Sequence, residues 1–179
     1  MEELDGNWET DNFDPSTMSA PVEDIHLCAL RNDLNEGDEL GSPPTNHWVV
    51  CLQTSYDSSV MLDMVPGYGS DGLRGKIELA ALNHRYTDET LRLFSFKPTE
   101  TLTIGQLLAH ISERRRQRFT FHPSWEGCRF WISVLMADWE ELQLIAPGSA
   151  KLATEALTKY WINPEGSQPR EMREGTFRE

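Results

Sequence analysis

Three residues far apart in the chain carry the side chains of a thiol nucleophile and its supporting groups. The first is Cys128, which follows Gly127 and opens a predicted helix. A helix N-terminus has unpaired N–H groups and a partial positive charge, and both favour the nucleophilic thiolate form of a cysteine. The same N–H groups can hold a developing oxyanion. The alternative is that Cys128 is a small apolar residue of the core.

His47 and Asp63 supply the two other groups that such a nucleophile needs. His47 begins a predicted strand over 46–53, and an imidazole within hydrogen-bond reach of a thiol can act as its base. Asp63 lies within an otherwise apolar strand over 60–65, which forms a predicted hairpin with the first. A carboxylate there can orient the imidazole. The alternatives are a His47 with satisfied hydrogen bonds and an edge-strand Asp63 that faces water.

Four further residues are candidates for contacts with a substrate. Trp48 and Trp125 flank the proposed site in sequence, and we expect them to form walls of its pocket. Arg129 follows the candidate nucleophile, where it can bind a substrate carboxylate or pair with Glu126. His122 is close enough in sequence to line the same pocket.

The elements that must position these residues are strands first and helices second. Alternation of apolar and polar residues predicts strands at 22–30, 46–53, 60–65, 76–82, 90–96 and 118–121. Helices are predicted to begin near Thr103, Cys128 and Pro147. The connections between most strands are too short for crossover helices, so we expect an antiparallel sheet. This order predicts an α+β fold, with the sheet packed against three helices.

Charge and length set the expected domain organisation. We interpret residues 1–20 as a disordered acidic tail, 21–162 as a single α+β domain and 163–179 as a flexible C-terminal tail. The net charge is −13, and residues 1–40 hold twelve acids and one base. A polyanion such as nucleic acid would be repelled by this acidic end, so we expect no nucleic-acid partner.

Composition also limits the class of protein. No apolar stretch approaches the roughly 20 residues that span a bilayer, and the acidic N-terminus lacks the features of a secretory signal. Three cysteines without a CxxC pair argue against both a disulfide framework and a structural zinc site. No nucleotide-binding motif is present. We therefore expect a cytoplasmic protein with no membrane span, no metal and no cofactor.

The order of the three candidate residues resembles that in circularly permuted papain-like enzymes of the NlpC and lecithin–retinol acyltransferase kind. The resemblance covers roughly residues 22–162 and rests on Asn46-His47-Trp48, Leu62-Asp63-Met64 and Gly127-Cys128-Arg129-Phe130-Trp131. An uncharacterised fungal family has a similar layout. The resemblance implies a permuted papain-like arrangement with Cys128 as the nucleophile. The acyltransferases have a histidine where Asp63 stands and an Asn-Cys-Glu-His-Phe box at the nucleophile, so the fold can carry over without the acyl chemistry.

Three functions follow from these observations and remain open at this point. The first is a thiol hydrolase or acyltransferase that acts on an acyl or amide group of a small molecule or peptide through Cys128. The second is a cofactor-independent cyclase or isomerase of small-molecule biosynthesis, with His47 and Asp63 as acid and base. The third is a non-catalytic binding module with the acidic tail as its contact. The oligomeric state is not predicted.

Overall fold

The computed structural model describes residues 4–37 and 43–179, and within these ranges it contains strands, three α-helices and one short 3-10 helix. The strands are β1 Trp8–Asn12, β2 Asp24–Leu30, β3 His47–Ser55, β4 Ser58–Tyr68, β5 Arg74–Leu82, β6 Thr90–Phe96, β7 Phe119–Thr120, β8 Lys159–Trp161, β9 Ser167–Pro169 and β10 Thr176–Phe177. The α-helices are α1 Ile104–Glu113, α2 Cys128–Glu141 and α3 Ser149–Leu157, and the 3-10 helix is Pro15–Ser19. No helix in these ranges is both long enough and apolar enough to cross a membrane.

One eight-stranded sheet forms a layer of the fold. Its strands lie in the order β10-β7-β5-β4-β3-β2-β6, with β1 beside β5. The neighbouring strands on this path are antiparallel, whereas β1 and β5 run parallel. Strands β8 and β9 form a separate antiparallel pair. The predicted α+β class, with an antiparallel sheet and three helices, is therefore confirmed, and the parallel β1 is an addition.

One face of the sheet shares a continuous core with the helices. Successive side chains of a strand point to opposite faces, and alternate residues of β2, β3 and β4, such as Leu27, Trp48 and Leu62, lie in this core. Trp131 and Leu135 of α2 are buried in the same cluster. The apolar side of the amphipathic helix α2 packs against β3 and β4. This packing fixes the position of the start of the helix.

The N-terminal segment is part of the fold, which differs from the predicted disordered tail over 1–20. Residues 1–3 lie outside the described ranges, but β1 and the 3-10 helix follow. Trp8 is 6% exposed and Phe13 is 9% exposed, and both belong to the main core. Asp14 caps the 3-10 helix by accepting a hydrogen bond from the Ser16 N–H at 2.9 Å. Acid-rich composition indicated a tail, but two buried aromatic side chains provide enough apolar surface to order it.

The C-terminal segment also differs from the predicted flexible tail over 163–179. Strand β9 pairs with β8, and β10 pairs with β7. The Phe177 ring lies 5.2 Å from the Phe119 ring, centroid to centroid. Arg170 is only 6% exposed. This polar segment contains Phe177, which packs against the core, and Arg170, which is buried and paired. The domain therefore extends well past residue 162.

We predict that Trp8→Ala lowers the free energy of unfolding by about 3–5 kcal/mol, the usual cost of truncating a buried aromatic residue. Urea denaturation of the full chain measures this loss. The matched control is Tyr56→Ala, because the Tyr56 side chain is 83% exposed and its loss should change stability by less than about 0.5 kcal/mol. Equal effects of the two substitutions would show that β1 is not part of the cooperative unit.

Candidate active site

His47 and Asp63 are in contact across two neighbouring strands. Val50 of β3 lies opposite Leu62 of β4, so Asp63 lies beside Val49 and diagonally across from His47 on the same face of the sheet. His47 Nε2 lies 2.9 Å from Asp63 Oδ1, and the two side chains are 28% and 16% exposed. This oxygen is buried and has no aligned hydrogen-bond donor among the described residues. The contact is therefore a close ion pair rather than a well-directed hydrogen bond.

Cys128 completes the group from the helix layer. It is the first residue of α2, and it lines the same cleft as His47. Cys128 is partly exposed, whereas Cys28 and Cys51 are buried. The structure thus brings the three predicted catalytic residues together at one end of the sheet.

The electrostatics of the group favour a charged imidazole. Burial by itself lowers the pKa of His47, but the neighbouring Asp63 carboxylate and Cys128 side chain outweigh it and raise the pKa to about 11. His47 is therefore an imidazolium at neutral pH. A cation next to a thiol favours the thiolate, which is the nucleophilic form. The arrangement is that of a thiol beside an imidazole that a carboxylate orients.

The start of α2 leaves backbone donors available beside the thiol. No side chain caps this helix, whereas Thr103 and Gln106 cap α1 reciprocally. The Trp131 N–H donates to the Gly127 carbonyl at 2.9 Å, so the N–H groups before it have no acceptor within the helix. A Cβ at Gly127 would lie 2.9 Å from the Phe119 ring. Glycine at this position therefore allows the start of α2 to pack closely on an aromatic ring.

A cleft of about 830 Å³ opens beside this group. Its walls come from the segment after β2, the residues before and at the start of β3, the middle of β4, Phe121 and the segment 124–129. His47 and Cys128 both lie in its wall, so a bound molecule can reach the thiol. A volume of this size suits a small molecule or a short part of a peptide.

The structure places the two predicted substrate-binding tryptophans in different surroundings. Trp125 lines the cleft and is 55% exposed, in agreement with the prediction that it forms a wall. Trp48 is fully buried and its ring lies 5.8 Å from that of Phe94, in the core. The prediction for Trp48 fails because residues adjacent in a strand face opposite sides of the sheet. When His47 faces the site, Trp48 must face the core.

His122 lies outside the set of described residues that line the cleft. Its Nδ1 lies 2.7 Å from Ser124 Oγ, and its backbone N–H donates to the Glu126 carbonyl at 3.0 Å. The residue therefore shapes the loop that carries Trp125 and does not contact the site, contrary to the prediction.

Arg129 lines the cleft, but its guanidinium is engaged by the protein itself. The side chain is buried, and its terminal nitrogens donate to the carbonyl oxygens of Leu157, Arg170 and Glu171 at 2.7–3.1 Å. It also donates to Glu126 at 3.1 Å. Of the two predicted roles, pairing with Glu126 is observed. The terminal nitrogens do not bind a substrate carboxylate, because they already donate to acceptors of the protein.

Arg170 is a structural residue of the site that sequence reasoning missed. Its guanidinium lies 2.9 Å from Glu126 Oε2 and donates to the carbonyl oxygens of Pro43 and Pro44 at 3.3 Å. One arginine therefore ties the residues before β3 to those before α2, the two segments that carry His47 and Cys128. No motif marked it, because it lies in a stretch whose composition indicated a tail.

The raised pKa of His47 predicts a specific dependence of stability on pH. Because the folded-state pKa of about 11 lies above the ordinary 6.5, the contribution is complete below about pH 6.5 and is lost as the pH rises towards 11. We expect the stability advantage of the wild type over His47→Gln, measured by urea denaturation, to shrink steadily over this interval. A difference that is constant with pH would contradict the ion pair.

We predict that Arg170→Met lowers the free energy of unfolding by about 3 kcal/mol, because it leaves Glu126 with a single cation. Chemical denaturation measures the effect. Arg173→Met is the matched control, since Arg173 is exposed and lies three residues along the same segment. The network has no stabilising role if the two variants unfold at the same denaturant concentration.

Comparison with known proteins gives a family. A family model described as a domain of unknown function, DUF7770, matches residues 25–178. No curated protein matches the chain. No solved structure matches it. The family match includes His47, Asp63 and Cys128 together with the C-terminal segment that holds Arg170. The chain therefore belongs to the DUF7770 family.

Proposed function

We propose that this protein is a thiol-dependent hydrolase or acyltransferase that acts on an acyl or amide group of a small molecule or a peptide. The observation that carries the proposal is that Cys128 and His47 line one cleft and that Asp63 lies against the His47 imidazole. A nucleophile, a base and an orienting acid in contact form the constellation that acyl transfer requires. The proposed fold is the permuted papain-like arrangement, supported by His at a strand start, an acid on the next strand and Cys at a helix start.

The chemistry divides into two steps. In the first, the Cys128 thiolate attacks the carbonyl carbon, and the free N–H groups at the start of α2 hold the oxyanion. His47 then gives its proton to the leaving amine or alkoxide, which departs and leaves a thioester on Cys128. In the second, the neutral imidazole takes a proton from water or from an acceptor molecule, which attacks the thioester. The thiolate departs, and Asp63 keeps the imidazole oriented throughout.

A second candidate uses the same cleft without a covalent intermediate. The contact between His47 and Asp63 does not depend on the thiol, and a charged imidazole beside a carboxylate is an acid–base pair. A cyclase or isomerase could use that pair alone. The binding-module hypothesis has less support, because the acidic residues 4–20 that would form its contact tail are built into the fold.

We predict that iodoacetamide modifies Cys128 faster than Cys28 and Cys51 in the native protein, because it alone is partly exposed and faces a cation. Peptide mapping after short exposure measures the three rates. His47→Ala should slow modification of Cys128 on the order of tenfold by removing that cation. A Cys128 that is the least reactive of the three thiols would sink the proposal.

An acylating probe separates the two candidate functions. Incubation with p-nitrophenyl acetate should add one acetyl group at Cys128, detectable by mass spectrometry, and Cys128→Ala should abolish both this adduct and release of nitrophenol. The noncovalent candidate predicts the reverse pattern for its own substrate, with turnover that survives Cys128→Ala and fails in His47→Ala.

A further inference from the structure

The cations around the cleft are already paired with acids of the chain. Among the described residues, the cationic side chains that line the cleft are Arg31, His47 and Arg129. Arg31 Nε lies 3.1 Å from Asp33 Oδ1, and the same side chain contacts Glu36. The other two cations are His47, which is paired with Asp63, and the buried Arg129 guanidinium, which is paired with Glu126. A substrate carboxylate would therefore compete with carboxylates of the chain for these cations.

The rest of the local charge is also unfavourable to an anion. Asp33 and Glu126 line the cleft, and Asp63 lies directly behind the imidazole. The whole chain has a net charge of −13. The electrostatic potential therefore repels anions both at the cleft and at a distance from the protein.

The cleft instead offers apolar contacts close to the thiol. Its apolar lining is Leu34, Met64, Val65, Pro66, Phe121 and Trp125. Leu34 is 95% exposed and Trp125 is 55% exposed, which is unusual for side chains of this size. Exposed apolar groups gathered around a concave site are typical of ligand binding.

Trp125 is held in place at a cost in backbone conformation. Its φ is 65°, in the left-handed region that bulky residues rarely adopt. Its N–H donates to the His122 carbonyl at 2.8 Å, and its indole packs so closely on Gly72 that a Cβ there would lie 2.6 Å from the ring. Strain that fixes an exposed aromatic ring beside a reactive group points to a role in binding.

We infer that the cleft binds the acyl part of the substrate as an uncharged, apolar group packed on Trp125, Val65 and Pro66, and that it excludes acyl groups that carry a carboxylate. This inference rests on the proposed function, because it places the acyl carbon at Cys128. The class of substrate is then neutral apolar amides or esters.

Alkylation of Cys128 by three related reagents tests the inference. Iodoacetamide is small and neutral, N-hexyl iodoacetamide adds an apolar chain, and iodoacetate is an anion. The rates at Cys128, found by peptide mapping, are divided by those of N-acetylcysteine to remove intrinsic reactivity. We expect N-hexyl iodoacetamide to gain about tenfold over iodoacetamide, which burial of two methylenes suffices to give, and iodoacetate to be slower than iodoacetamide.

Trp125→Ala should reduce the gain from the hexyl chain to about twofold or less. The control Tyr56→Ala, which removes an exposed aromatic residue outside the cleft lining, should leave it unchanged. Iodoacetate that matches or exceeds iodoacetamide would overturn the exclusion of anions, and a hexyl gain that is absent or insensitive to Trp125→Ala would overturn the apolar site.

Calorimetric titration with octanamide and octanoate keeps the inference testable if Cys128 proves unreactive, an outcome that would count against the proposed function alone. We expect octanamide to bind at least about tenfold more tightly than octanoate, and its affinity to fall in Trp125→Ala. Equal binding of the two compounds, or no binding of either, would contradict the inference.

Discussion

A carboxylate in the middle of an apolar strand needs a partner, and the rest of this site depends on how Asp63 finds one. Its neighbours along β4, Leu62 and Met64, are buried in the core, so the strand cannot move to expose the acid. The only partner identified for its Oδ1 among the described residues is His47 at 2.9 Å. Because this contact favours the charged imidazole, it also sets the electrostatic surroundings of Cys128.

The architecture brings the thiol to that imidazole by packing rather than by a direct link between chain neighbours. Strand β4 pairs with β3, and α2 lies across both with its buried face in the main core. Gly127 lets the first turn of α2 approach Phe119. Arg170 then joins the segment before β3 to Glu126 near the helix start. Rigid elements fix the catalytic group, while the loop with Trp125 shapes the space beside it.

Sequence patterns were sufficient for the parts of this structure that local periodicity controls. Alternation along the chain predicts the strands, their short connections predict an antiparallel sheet, and the hairpin that joins β3 to β4 predicts that Asp63 lies next to His47. Applied to Trp48, the same alternation predicts a side chain in the core, on the face opposite to His47, because nearness to the site in sequence does not determine which face of the sheet a side chain occupies.

Other features depend on contacts between distant segments and leave little trace in sequence. The two ends have polar compositions typical of tails, yet Trp8, Phe13 and Phe177 anchor them to the core. Arg129 looked available to a substrate because its acceptors are mostly backbone carbonyls of a segment about 30 to 40 residues later. Backbone acceptors carry no residue signature, so only the folded chain shows that this guanidinium is occupied.

The most direct test of this account is a titration of the His47 imidazole by nuclear magnetic resonance in the wild type and in Asp63→Asn. The account predicts an imidazole that stays protonated far above its ordinary range, with a pKa approaching about 11, and a clear fall in that pKa in Asp63→Asn. A wild-type imidazole that titrates near 6.5 and does not respond to Asp63→Asn would contradict it.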